Sequence, residues 1–413
     1  MDTYLKRYLT ISFLNLSIVA GIGTVLRYKI AFSLPFVDQK FLLHGHSHFA
    51  FAGWVTQTLM TLMVQYLSVA NQQNEFKRYH KYLICNLLTA YGMLFSFPVQ
   101  GYGVVSITFS TLSVFVSYFF AVRYWIDLNK LPQKSIVHNW FKVALFLAVL
   151  SSVGTFSLAY MMANKIIHQN WYLAAIYFYL HFQYNGWFFF ACMGLFYALL
   201  PQTLIQQKEF KNVFLLFTLS VGPAYFLSTL WAYIPTWLYI VIIIASIAQL
   251  IAWILLVNVL FKNKQQLLQN LSTQSKGLLL LSGIALTVKL ILQLGSTIPS
   301  LSKLAFGFRP IVVAYLHLAL LGVISLFLIG YIYASAKVKW SKIGVAGIIV
   351  FTVSVFLNEA VLMVQGLASF SYTVVPHTNE MLLFISFSIF MGVLLIILSR
   401  LRTQPSNNIN DIV

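Results

Sequence analysis

The amino-acid sequence predicts an all-α polytopic membrane protein: twelve transmembrane helices in a pseudo-threefold arrangement of four-helix units, forming one integral membrane domain over residues 1–413. Three observations predict it. The chain is 60% hydrophobic and only 8% charged, with a mean hydropathy of +0.83, which leaves too few charges to hydrate the surface of a soluble globule. Its polar residues gather in short clusters between long apolar runs. The pattern His, four residues, Gly recurs at His48 to Gly53, His181 to Gly186 and His317 to Gly322, with the histidines 133 and 136 residues apart.

A span needs about 20 apolar residues to cross the hydrocarbon. Cutting the chain at its polar clusters gives segments over 8–31, 42–70, 80–101, 103–127, 138–163, 171–200, 211–232, 236–261, 277–298, 309–334, 341–367 and 378–401. The first is a full span with no small-residue cleavage site after it, so it reads as a mature helix and not as a signal peptide. The second carries His44, His46 and His48, the sixth His181 and the tenth His317. The seventh contains Gly222-Pro223 and no histidine, while the ninth and eleventh hold Lys289 and Glu359. The connections are too short for an inserted soluble domain of any size.

The formal net charge of +18 would suit nucleic acid only if the cations formed a patch, and instead they sit between apolar runs. Placing the N-terminus, the loops after even-numbered spans and the C-terminus on one side collects nineteen Lys and Arg residues there. The other side holds six, namely Arg27, Lys29, Lys40, Lys165, Lys303 and Arg309. The positive-inside bias then puts both termini in the cytoplasm of a multi-pass protein of the cell's inner (plasma) membrane.

With that topology, His48, His181 and His317 lie 6, 10 and 8 residues past the starts of their spans. At a rise of about 1.5 Å per residue they fall within roughly 6 Å of one another in depth, in the outer third of the membrane. A single histidine in a span is often no more than a polar group bonded to a neighbouring helix. Three at matched depth and period favour a cofactor or metal, because intramembrane ionisable groups are costly. Gly53, Gly186 and Gly322 would let a neighbouring helix or a flat ring approach closely.

Imidazoles in lipid suit haem iron, and two of them facing across a bundle give a six-coordinate, low-spin iron fit for electron transfer. Copper and zinc are also imidazole metals. Cys85 and Cys192 lie far apart with no Cys-x-x-Cys-His, which excludes covalent c-type attachment.

Twelve spans in three groups of four, with histidines on the second, sixth and tenth, resemble the haem-copper oxidase catalytic subunit, a superfamily that includes the nitric oxide reductases. The tenth helix there carries His-x-His, the first residue binding the high-spin haem and the second the low-spin haem. This chain reads Val312-Val313-Ala314-Tyr315-Leu316-His317. The resemblance makes His317 a low-spin ligand and leaves Tyr315 where the high-spin ligand stands. On the second span it favours His48 as the partner ligand, with His44 and His46 competing; on a helix His44 and His48 share a face and His46 points about 200° away. The triple His-x-His-x-His is alternatively a metal-capture site at the outer surface. His181-Phe-Gln-Tyr-Asn-Gly resembles the nitric oxide reductase pattern His-x-x-x-Glu-Gly, in which the histidine binds a non-haem metal, copper or iron. Here Asn185 replaces the glutamate, and the seventh span lacks the adjacent His-His pair that completes the site. The haem- and copper-containing NnrS-type membrane proteins are another twelve-span group with comparable His-rich helices. The resemblance implies one b-type haem, or two, a quinol or cytochrome electron donor, a partner subunit, and electron transfer or nitric oxide and oxygen redox chemistry short of a conventional oxygen reductase.

Glu359 lies about 18 residues from the cytoplasmic edge, hence about 27 Å deep and level with the histidines, whereas Lys289 is about 18 Å deep. The difference of about 9 Å argues against their pairing. Glu359 reads as a proton carrier or haem-edge contact, or else as an acid bonded to Asn358. Arg309, His377 and Glu380 face the outer surface, where Arg309 suits a haem propionate or an interfacial anchor. Two other classes compete with the haem reading: a secondary transporter, which would more often show a twofold repeat with helices broken at the midplane, and an outer-surface metal-handling protein.

Overall fold

The apolar runs become helices because lipid leaves backbone polar groups no partner outside their own segment. In the computed structural model, which describes residues 3–268, 271–302, 308–335 and 341–402, every regular element is helical. We label the long runs α1 (Thr3–Ala31), α2 (Gln39–Phe49, Ala50–Thr56 and Gln57–Ala70), α3 (Phe76–Gln100), α4 (Val104–Lys130), α5 (Ile136–Ala163) and α6 (Gln169–Leu180, His181–Phe188 and Phe189–Ala198). The second half comprises α7 (Lys208–Val221), α8 (Thr236–Lys262), α9 (Thr273–Gly295), α10 (Arg309–His317, Leu318–Ser325 and Leu326–Ser335), α11 (Lys342–Phe370) and α12 (Thr378–Arg402). Among the described residues nine helices are long and apolar enough to cross a membrane, and a tenth if α7 and the 3₁₀ turn after it are one bent span. α2 and α6 are not among the nine. Lys303, Lys337 and Lys339, used above in the charge count, lie outside the described residues.

Local chemistry sets the breaks. Asp38 caps α2 by accepting from the Phe41 N–H at 2.8 Å, and Ser135, Ser272 and Ser341 cap α5, α9 and α11. Gly101 ends α3 at φ +57°, where any Cβ would also meet the Phe41 ring. The straight seventh span expected over 211–232 is instead bent by 45° after Val221. Pro223 has no N–H to give and cannot continue the α-helix, so the chain passes into a 3₁₀ turn, Pro223–Thr229.

Sequential helices pack side by side, and α12 closes back on α1. At the centre, the second halves of α2, α6 and α10 touch one another pairwise. Each of these three runs passes through a π-helical segment: Ala50–Thr56, His181–Phe188 and Leu318–Ser325. Every repeated histidine therefore stands at or just before a π segment, a conformation rare enough that such segments are often functional. Sequence periodicity did not foretell this.

The wider π turn disturbs the carbonyl ladder, and side chains from neighbouring helices supply donors. Asn15 on α1 donates to the Gly53 carbonyl at 2.6 Å and Asn86 on α3 to the Ala52 carbonyl at 3.1 Å, both asparagines being fully buried. Ser282 on α9 donates to the Val323 carbonyl at 2.7 Å. The π segments are also tied to one another. The Trp54 indole N–H donates to Ser325 Oγ at 2.9 Å, and that of Trp187 to Thr56 Oγ1 at 3.3 Å. The repeated spacing of glycine behind histidine meets three different neighbours: a Cβ at Gly186 would press on Leu147 of α5, one at Gly322 on Ala285 of α9, and one at Gly53 on the Phe49 ring of its own helix.

Candidate cofactor site

The three histidines of α2 diverge. His48 stacks on Phe97 with ring centroids 4.3 Å apart, and its Nε2 lies 3.3 Å from the Tyr102 hydroxyl. His44 lies edge-on to the same Tyr102 ring at 4.6 Å. Both therefore face α3 and the α3–α4 connection. His46 points the other way, against α1, where a Cβ on Gly23 would come 3.3 Å from its ring. Among the described residues no group of three His, Cys, Asp or Glu side chains converges as metal ligands would.

The imidazole within electrostatic reach of His317 is thus His46. Each ring has one nitrogen tethered. His46 is bonded to the backbone of Val19 on α1 while its buried Nδ1 has no hydrogen-bond partner among the described residues. His317 donates from Nδ1 to the Val313 carbonyl, 2.8 Å away on its own helix, which directs Nε2 outward. A histidine whose one nitrogen is held by a backbone group and whose other is free has the form a metal-ligating histidine takes.

Arg27, one turn beyond Gly23 on α1, interacts electrostatically with His46, His317, Glu359 and Arg309. Sequence reading counted Arg27 only as a charge for topology. The missed signal was its register, four residues after Gly23 on the same face of an otherwise apolar stretch. Glu359 on α11 accepts from the Asn358 amide at 3.1 Å and forms no direct ion pair among the described residues. Arg309 is exposed at the start of α10. His377, at φ +58°, is solvent-exposed, with Nδ1 3.9 Å from Glu380, and lies outside this cluster.

His181 stands in a second setting. Its Nε2 donates to the Val221 carbonyl at 2.8 Å, and its Nδ1 accepts from the Asn185 amide at 3.2 Å. Val221 is the last residue of α7 before the Gly222-Pro223 break, so His181 caps a carbonyl that the bend disengages from the helix. Asn185 can donate to the ring where an ionised glutamate cannot, which fixes the tautomer with the proton on Nε2. Beside it, Lys289 Nζ is bonded to Gln293 Oε1 at 2.6 Å and lies 5.9 Å from the Tyr315 ring, which is edge-on to Tyr184 at 6.4 Å. Tyr315 therefore belongs with Lys289 and His181, although it stands two residues from His317. Both His181 nitrogens are used within the protein, and a metal ion there would have to displace one of those bonds.

No protein-family model matches the chain, and no curated protein sequence matches it.

Proposed function

We propose that this chain is a haem-binding electron-transfer protein of the membrane, with one low-spin b-type haem held by His46 and His317 between α1, α2, α10 and α11. The observation that supports the reading is that His46 lies within electrostatic reach of His317, each ring bonded to backbone through one nitrogen and the other nitrogen without a hydrogen-bond partner among the described residues. The His46 alternative replaces His48, whose ring is turned to Phe97 and Tyr102. A haem held by two imidazoles would supply one-electron transfer. Around it, Gly23 leaves space that the His46 ring occupies against α1, Val19 and Val313 hold one nitrogen of each ring, and Arg27 would offer a cation to a propionate carboxylate, with Arg309 nearer the surface.

The same reading takes α1–α12 as twelve spans in three related groups, with both termini cytoplasmic in the plasma membrane. Its support is that tryptophan, six residues after histidine, bonds the hydroxyl residue eight after the preceding histidine, the three repeats taken as a ring, in two of three cases, Trp187 to Thr56 and Trp54 to Ser325. In the third case the corresponding positions are Val323 and Phe189, an apolar pair. A quinol or a cytochrome is the donor class this function requires, and small-gas redox chemistry is secondary to it, because His181 is saturated by hydrogen bonds.

The test is the absorption and pyridine haemochrome spectrum of the full chain purified from haem-replete cells. A Soret band lost in His46→Ala and His317→Ala but kept in His48→Ala is the expected result. A colourless wild-type protein refutes the haem; loss in His48→Ala with retention in His46→Ala refutes the ligand pair.

A further inference from the structure

The first half of the chain encloses a cavity of about 60 Å³ between α2, α3, α4, α5 and α6. One water needs roughly 10–15 Å³ of such space, so there is room for about four to six. The lining is unusually polar for a membrane interior. α4 contributes Ser110, Ser113 and Ser117, spaced along one face, while Leu112, Phe115 and Phe119 point outward and are exposed. α5 contributes Ser151, Ser152 and Thr155, and α6 contributes Gln183. Over Ser110 to Ser117 the polar face runs about 10 Å along the helix.

The hydrogen bonds define what this space accepts. Ser117, Ser151, Ser152 and Thr155 donate to carbonyls of their own helices, at 3.0, 2.7, 2.6 and 2.8 Å. Having given up its one proton, each hydroxyl has only oxygen lone pairs to offer the cavity. Tyr118 is bonded to Ser152, and Gln183 spends an amide proton on Ser151 Oγ at 2.8 Å. A wall made mostly of acceptors suits donors such as water and hydronium, and disfavours anions. At one end of the lining is His48, in contact with Tyr102, and Tyr102 is half exposed in the α3–α4 connection.

We propose that this cavity is a water-filled half-channel, entered past Tyr102 and His48 from the side of the α3–α4 connection, that carries water and protons to the π segment of α2. It stands whether or not the chain binds haem. Thr56 and Met60 mark its inner end, and the Trp187 indole closes on Thr56.

Water-radiolysis footprinting of the unmodified full chain tests it first. Met60 and Met93 line the cavity though each is at most 2% exposed, whereas Met63 at 0% lies in the dry core. Oxidation of Met60 and Met93 at least tenfold faster than Met63 is the expected outcome; equal protection of all three overturns the proposal. The direction of entry is read by a membrane-impermeant cationic thiol reagent applied to each face of oriented vesicles, in a Cys85→Ser, Cys192→Ser chain carrying Ser113→Cys or Ser117→Cys, with Phe119→Cys as the lipid-facing control. Labelling from the α3–α4 side only, at least tenfold faster than the control and slowed by Tyr102→Trp, is expected. Labelling from the opposite face, or no faster than the control, overturns the entry route.

Discussion

The surroundings of His317 and of His181 share a sequence pattern and a π-helical backbone, yet differ in what is left for chemistry. At His181 the bent α7 presents a freed carbonyl and Asn185 presents a donor, so both ring nitrogens are consumed and the imidazole works as a cap. At His317 the backbone takes Nδ1, Nε2 has no hydrogen-bond partner among the described residues, and His46, also held through the backbone, lies within electrostatic reach. A repeated motif therefore fixes where a side chain sits in the bundle. What that side chain can do depends on helices elsewhere in the sequence, here α1 and α7.

The largest expected effect separates the two surroundings outright. His46→Ala or His317→Ala should abolish the low-spin haem spectrum, and His181→Phe should leave its band positions and haem-to-protein ratio unchanged. Loss of haem in His181→Phe, in protein that elutes normally on size exclusion, would show that the contrast drawn from ring nitrogens is wrong. Next comes Arg27→Leu, which leaves both proposed ligands in place. By analogy with groups that support metal ligands, it should weaken haem retention about 10–100-fold, measured by transfer to apomyoglobin, with Arg27→Lys restoring part of it. An equal loss in Arg27→Lys and Arg27→Leu would favour a requirement for the planar guanidinium over charge alone.

Stability should invert that order. His181→Phe strands the buried Val221 carbonyl and should cost about 1–3 kcal/mol, read as a lower thermal midpoint in detergent. Asn15→Leu removes the donor from the Gly53 carbonyl and strands the Tyr91 hydroxyl as well, since Tyr91 donates to Asn15 Oδ1 at 2.8 Å. A loss in the same range of about 1–3 kcal/mol is expected.

The fold was more legible in the sequence than the site. Apolar run length placed the helices to within a few residues because, in lipid, the backbone has little alternative to helix. The bend at Gly222-Pro223 was written in the residues, but its consequence for His181 depended on which helix would face the break. Which of His44, His46 and His48 faces α1 turned on a rotation about the α2 axis. A period of histidines cannot fix that rotation, since α1 decides it by offering Gly23 and Val19 to His46. Arg27 escaped notice for a similar reason, because a charge near a helix end satisfies the topology rule before its inward face is considered. The π segments left no mark in hydrophobic periodicity, although Asn15 and Asn86, buried amides in apolar spans, were available clues to carbonyls needing donors.

The smallest expected effect examines what joins the repeated helices. Trp54→Phe and Trp187→Phe keep most of the buried ring area and delete only the indole donor. Each should cost about 0.5–1.5 kcal/mol. The Trp54 bond to Ser325 is the shorter, at 2.9 Å against 3.3 Å for Trp187 to Thr56, so Trp54→Phe should lower the thermal midpoint more. Neither bond touches a nitrogen of His46 or His317, and the haem spectrum should not move. If Trp54→Phe did shift the low-spin bands, the π segments would be transmitting strain to the ligands, and the separation between the framework shared by the three helices and the chemistry at His46 and His317 would fail.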